Sequence, residues 1–259
     1  MKLIDDLVPP EGPEVFLMLI VSFRTKSHLV FQRNYGMEAL ARGTLNTPLR
    51  RPEDLFRAAT RAGLETALDL KCLARALWLL HRVNPERKLF INVRAETLLT
   101  DDFRSLILQG APVCWRDKLV LEINGGNRIP LQQLRKRIEW LRRLKIAVAI
   151  DDVGAQGISL EELEAIGKVD YLKIHRNVLM RNWQRDPEGT LSWFDAAAQV
   201  GKRMKAQLAV KGVETVDHEV LTQLSKRNIH LGQGYRFGEP IAVLGPSTVI
   251  QARKNRRVG

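Results

Sequence analysis

Asp151 and Asp152 stand side by side at the end of the apolar run Ile146, Ala147, Val148, Ala149, Ile150. Adjacent carboxylates repel unless a cation intervenes or one takes up a proton. On these residues alone two readings stay open: a strand running out into a solvated loop or helix cap, and a metal site whose cation offsets the repulsion. Other apolar runs close on polar groups too. Glu38 follows "YGM", Asn92 follows "LFI", Glu122 follows "LVL" and Lys173 follows "VDYL". Lys211 follows "LAV", with Glu214 just beyond, and Gln233 lies in "IHLGQGY". A rim of such oxygen donors is what magnesium or manganese takes. Two such ions a few ångströms apart form a clamp for in-line phosphodiester hydrolysis.

The elements that must bring these residues together follow from periodicity. Strand-like runs occur at 15–23, 29–31 with 35–40, 88–93, 118–123, 145–152, 169–174, 206–214 and 229–235. Helical patterns fall near 52–62, 65–83, 96–109, 130–144, 159–166, 189–204 and 216–226. Leu134, Ile138, Leu141 and Leu144 give the fourth of these an apolar stripe opposite a basic face. Strands apolar on both faces and joined through helices form a parallel sheet. About eight such strands predict an α/β fold, a closed TIM-like (β/α)8 barrel whose strand ends converge on one mouth. Within that frame the strand-end residues share a site, and the metal reading of Asp151 and Asp152 prevails. The expected layout is an N-terminal extension at 1–13, a barrel domain at 14–247 and a basic tail at 248–259.

Composition bounds the partners. A chain of 259 residues, 45% hydrophobic, suits one large domain. Its net charge of +12 suits phosphates, an anionic membrane or an acidic protein. Aromatic interleaving, zinc spacing and a basic-region pattern are missing, so nucleic acid is not an expected partner. Cys72 and Cys114 make no disulfide framework, which points to a reducing cytoplasm. The run at 15–23 is too short to cross a bilayer, and the acidic, proline-rich start is unlike a secretion signal.

With these residues in order, the chain resembles the EAL domains, the cyclic di-GMP phosphodiesterases. "YGMEALAR" (35–42) contains the Glu-Ala-Leu-x-Arg signature. "FINVRAETL" (90–98) looks like the family's Phe-x-Asn strand and "LVLEI" (119–123) like its glutamate strand. "AIDDVG" (149–154) resembles the Asp-Asp-Phe-Gly loop, "VDYLKIHR" (169–176) the lysine strand, "KGVET" (211–215) the Glu-Gly-Val-Glu-Thr turn, and "GQGYRFGEP" (232–240) the closing motif. The resemblance implies that Glu38, Asn92, Glu122, Asp151 and Asp152 hold two divalent cations, with Asp151 bridging. It implies that Lys173 orients the attacking water, with Glu38 also catalytic, and that Arg42 and Gln233 serve the substrate. The implied product is the linear dinucleotide pGpG.

The same resemblance exposes departures. Lys211 replaces the first glutamate of Glu-Gly-Val-Glu-Thr, and Glu214 is that motif's other glutamate. Near another charge, at about 4 Å and an effective dielectric near 20, each unit of charge is worth on the order of 4 kcal/mol. The second metal position is therefore expected to be lost, with magnesium or manganese left for the first. Gly125 stands where a glutamate braces the Asp-Asp loop, and Val153 and Ala155 replace that loop's Phe and Thr. His175 replaces an aspartate two residues beyond the lysine, and "FLMLIVSF" lacks the family's Gln-Pro. The departures favour a non-catalytic regulator that binds cyclic di-GMP or a protein partner. The alternatives are an active metal-dependent phosphodiesterase and, third, a basic nucleic-acid or acidic-partner binder on the same scaffold. Oligomerisation stays open, since EAL domains often dimerise near the altered loop. If Lys211 faces the mouth, its ammonium is expected within salt-bridge reach of Asp151 or Asp152.

Overall fold

A computed structural model describes residues 4–9, 12–26, 29–80, 87–155, 158–214 and 218–243. Strands β1 (Glu14–Lys26) and β2 (Leu29–Arg42) form a long antiparallel hairpin, from Glu14 opposite Arg42 to Lys26 opposite Leu29. The remaining strands are β3 (Lys88–Arg94), β4 (Leu119–Asn124), β5 (Ala147–Val153), β6 (Tyr171–Ile174), β7 (Gln207–Lys211), β8 (Leu231–Gln233) and the short β9 (Ile241–Ala242). From β3 to β8 each strand runs parallel to its predecessor. The order β2-β3-β4-β5-β6-β7-β8-β1, with β1 also paired to β2, closes the ring. The helices are α1 (Pro52–Ala62), α2 (Glu65–Leu79), α3 (Ala95–Leu98), α4 (Asp101–Gly110), α5 (Leu131–Arg143), α6 (Leu160–Leu163), α7 (Trp183–Arg185), α8 (Pro187–Met204) and α9 (His218–Lys226). The expected barrel is therefore present.

Three details differ from the expectation. The ring is not wholly parallel, because β1 runs against both β2 and β8. A direct hairpin joins β1 to β2, and a parallel pair would need a crossover of a dozen residues or more. The runs at 29–31 and 35–40 are one strand. The helix expected over 96–109 is broken, because Thr100 accepts a hydrogen bond from the Phe103 N–H at 3.1 Å and so caps a fresh helix, α4. The N-terminal extension is anchored: Leu7 and Val8 are buried against Leu55, Ala59 and Leu68. The basic tail, Gln156 with Gly157, and Thr215 lie outside the described residues. Among the described residues no helix is long and apolar enough to cross a membrane.

The inside of the barrel is built in two layers. Ile20, Phe90, Val120, Ala149, Tyr171, Ala209 and Leu231 form a buried apolar plug. Two residues further along β3 to β8 come Asn92, Glu122, Asp151, Lys173, Lys211 and Gln233. Residues two apart on a strand share a face, so the polar set lies directly above the plug. Gly36 makes room within the plug, since a Cβ there would meet the Phe90 ring at 3.0 Å and the Lys88 carbonyl oxygen at 2.8 Å. The helices cover the outer faces of the strands with a larger apolar shell.

Candidate functional site

Lys173, from β6, is the centre of the polar layer and is fully buried. Its ammonium donates to Glu38 Oε2 at 2.8 Å and to Glu122 Oε1 at 2.5 Å. Glu38 also accepts from Asn92 Nδ2 and Gln233 Nε2, each at 2.7 Å. Asn92 Oδ1 in turn accepts from Asn124 Nδ2 at 2.8 Å. Strands β2, β3, β4, β6 and β8 thus meet in one network. Burial works against the charged lysine, but Glu122, Glu38 and Asp151 outweigh it and hold its pKa above the ordinary lysine value. Burial would raise Glu38 too, yet the ammoniums of Lys173 and Lys211 hold it down at about 2. Glu122 goes the other way: burial and the negative charge of Glu38 push it well above the usual carboxylate range, against Lys173. One ammonium cannot offset two buried carboxylates fully. Glu122 Oε2 is buried without a hydrogen-bond partner.

Lys211 is the counterpart at the rim. Its ammonium lies 2.7 Å and 2.9 Å from the two oxygens of Asp151 and 2.6 Å from Asp152 Oδ1. It reaches them across β6, which lies between β5 and β7. Consecutive strand residues ordinarily face opposite sides. Asp152 escapes that rule with a left-handed φ of +56°, and the β5–β6 ladder is irregular between Ile150 and Val153. Aspartate is among the few residues that enter this region readily. The turn brings both carboxylates to one ammonium. Burial would lower the Lys211 pKa, but the paired aspartates outweigh it and raise it.

The other departures sit around this rim. Gly125 has φ +67°, and a Cβ there would lie 3.1 Å from the Arg128 side chain. An arginine thus fills the space beside the position where a bracing carboxylate was expected. Val153 is buried, and its carbonyl accepts from the His175 N–H at 2.9 Å. The Ala155 N–H closes the turn onto the Asp152 carbonyl at 3.1 Å. His175 Nδ1 accepts from the Asn177 N–H at 3.1 Å, so the ring serves the turn after β6, and burial lowers its pKa. Glu214 stays apart from the aspartates and accepts from the Tyr235 N–H at 3.1 Å. Trp193 packs over Gly154, where a Cβ would come within 2.7 Å of the indole.

Arg42 stands at the end of β2 and lines two cavities. One, of about 920 Å³, is also lined by Arg50, Arg51, Arg176, Phe16 and Tyr235, with Glu53, Asp54 and Glu239 among its acidic neighbours. The other, of about 390 Å³, reaches Glu38, Asn92 and Asn124. Both volumes suit a small-molecule ligand. Arg50 lies over the Phe16 ring at 5.1 Å and Arg42 at 5.9 Å. Asn124 escaped the sequence reading, although it is in phase with Glu122 on the same strand. Arg50, Arg51, Arg176, Phe16 and Tyr235 left no comparable periodic signal.

Among the described residues no three acidic, histidine or cysteine side chains converge closely enough to hold a metal ion. The donor chemistry divides in two. Around Glu122 one buried oxygen has no partner, with Asn92 opposite it across the ladder. That leaves one carboxylate oxygen free to meet a cation, beside the Lys173 ammonium on Glu122 Oε1. Between Asp151 and Asp152 an ammonium already stands.

A barrel whose strand ends carry carboxylates, carboxamides and lysines in this order defines a class of protein. The EAL domain family model matches residues 19–240, and the chain belongs to the EAL domain family. Among curated proteins it is similar to the probable cyclic di-GMP phosphodiesterase PdeN of Escherichia coli, with 30% identity over 157 residues. That match covers 60% of this chain and only 29% of PdeN. An EAL domain protein from Listeria monocytogenes has a TM-score of 0.76 at 18% identity, covering 93% of this chain and 95% of that one. The calcium and cyclic di-GMP complex of BlrP1 from Klebsiella pneumoniae has a TM-score of 0.73 at 22% identity, covering 91% and 57%. At these identities the solved structures speak to the fold.

Proposed function

We propose that this chain binds cyclic di-GMP at the barrel mouth and acts in cyclic di-GMP signalling. The observation that carries this reading is the network in which Lys173 joins Glu38 and Glu122 beneath a rim bearing Arg42. Arginines suit the two phosphates of such a ligand, and the rings of Phe16 and Tyr235 suit its bases. The likeness to PdeN, and to BlrP1 solved with cyclic di-GMP and calcium or manganese, supports the same ligand.

The relatives favour hydrolysis to pGpG as the finer reading. Glu38, Asn92 and Glu122 would hold a single magnesium or manganese ion, with Glu122 Oε2 as the donor that lacks a partner, while Asp151 stays on Lys211. When bound, the ion supplies Lewis-acid polarisation and a lowered water pKa. Lys173 uses two of its three N–H groups on glutamates, which leaves one to orient an attacking water. Gln233 and Asn92 fix Glu38 in place. Arg42 would hold a phosphate at the rim. A specific observation favours the second reading, a non-catalytic regulator working through bound cyclic di-GMP or a protein partner: Lys211 pairs with both aspartates.

Calorimetric titration of cyclic di-GMP, run beside a hydrolysis assay with magnesium and with manganese, decides between them. Turnover near about 1 s⁻¹, the lower end of ordinary enzyme rates, identifies a phosphodiesterase. Binding with turnover far below that identifies the regulator. Neither binding nor turnover overturns the proposal.

A further inference from the structure

We infer that Lys211 permanently fills one of the two cation positions of this mouth, so that the chain takes up at most one divalent ion. The inference rests on the mouth being a metal-associated site as read above, and it deepens that reading by assigning its ion stoichiometry to one side chain.

The geometry is that of a cation site. An ammonium has three N–H groups, and three carboxylate oxygens, two of Asp151 and one of Asp152, lie within 2.9 Å of the Lys211 nitrogen. Both oxygens of Asp151 are used, so a divalent ion could bind there only by breaking those bonds. The tether matters as well. A lysine anchored on β7 does not diffuse away, so its effective concentration stays high at any ion level.

Displacement has no obvious route. Lys173 lies on the inner side of the same cluster, and its charge weighs against the Lys211 ammonium. On the outer side Arg128 borders the pocket that holds Asp151 and Asp152. A displaced ammonium meets like charge in either direction. Asp152 is committed too, since its left-handed backbone sets its carboxylate against Lys211. The Glu122 position differs: its Oε2 is buried and unpartnered, so an ion can meet that oxygen without displacing Lys211. The two positions are thus chemically unequal before any ligand arrives.

Manganese binding to the full chain, stripped with chelator beforehand, tests this by counting ions with paramagnetic resonance and calorimetry. No cyclic di-GMP is added, so a failure of dinucleotide binding leaves the result readable. The wild type is expected to take up one ion or none, and Lys211→Glu one more than the wild type. Lys211→Gln keeps much of the length, removes the charge, and is expected to gain a second ion at least about tenfold more weakly than Lys211→Glu. Two ions in the wild type overturn the inference. So does a folded Lys211→Glu that binds no more manganese than the wild type. If Lys211→Glu folds only with manganese present, the inference is upheld, because the added carboxylate then needs an ion where the ammonium stood. If it does not fold at all, Lys211→Gln decides: an extra ion upholds the inference, and an unchanged count overturns it.

Discussion

Two lysines each bridge two carboxylates in this mouth, yet they sit in different media. Lys173 is 1% exposed, between Glu38 and a wholly buried Glu122. Lys211 is 22% exposed, and its partner Asp152 is 43% exposed. Water screens the rim group and barely reaches the floor group. Removing one partner from a buried ion group strands a charge, whereas a half-exposed group can rehydrate. The same pairing therefore carries more stability at the floor than at the rim. The floor group locks five strands together, while the rim group governs what the mouth admits.

The largest expected effect is at the floor. Lys173→Met strands two buried carboxylates and should lose about 3–5 kcal/mol of stability in urea unfolding. Adding Glu122→Gln should recover part of that loss, since it removes the repulsion between Glu122 and Glu38. A third buried carboxylate sharpens the contrast, because Asp69 has no lysine beside it. It accepts the Arg94 N–H at 2.9 Å, and burial pushes its pKa from 3.8 to about 6. The folded state thus holds this proton more tightly than the unfolded chain. This group's contribution to stability falls as pH rises from about 4 through 6. Asp69→Asn should flatten that slope and add up to about 3 kcal/mol at pH 7, read from unfolding midpoints across pH. Glu38 has the opposite sign: its pKa is held at about 2 against 4.5, so its stabilisation is complete above 4.5 and is lost as pH falls toward 2.

At the rim, Lys211→Ala should cost about 1–2 kcal/mol without metal and make the protein more responsive to added magnesium. A loss as large as that of Lys173→Met would break the comparison, as would indifference to the ion. The smallest effect belongs to a control outside both groups. Thr100→Ala removes the cap of α4 and should cost about 1 kcal/mol, leaving ion uptake and ligand binding unchanged.

Much of the architecture was legible in the chain. Polar residues closing apolar runs marked Glu38, Asn92, Glu122, Asp151, Lys173, Lys211 and Gln233, and all of them line the interior of the mouth. Asn124 carried the same alternating phase and was overlooked. Arg50, Arg51 and Arg176 around the 920 Å³ cavity were not legible, because they come from loops and helix ends that no periodic pattern ties to the strands.

The sequence by itself determined the barrel and the polar layer at its mouth. Alternation along a strand is a local property of the backbone, so two residues of spacing suffice to assign a face. Only the tertiary structure decided which lysine meets which acid. Lys173 and Glu38 are 135 residues apart, and Lys211 and Asp151 are 60 apart. Their pairing depends on the order in which the ring closes, on the reach of Lys211 across β6, and on the left-handed turn at Asp152. The reversed direction of β1 was settled at the same level, since it follows from the hairpin that joins β1 to β2. Local periodicity can place a charge at the mouth, but its partner exists only once the strands have closed around it.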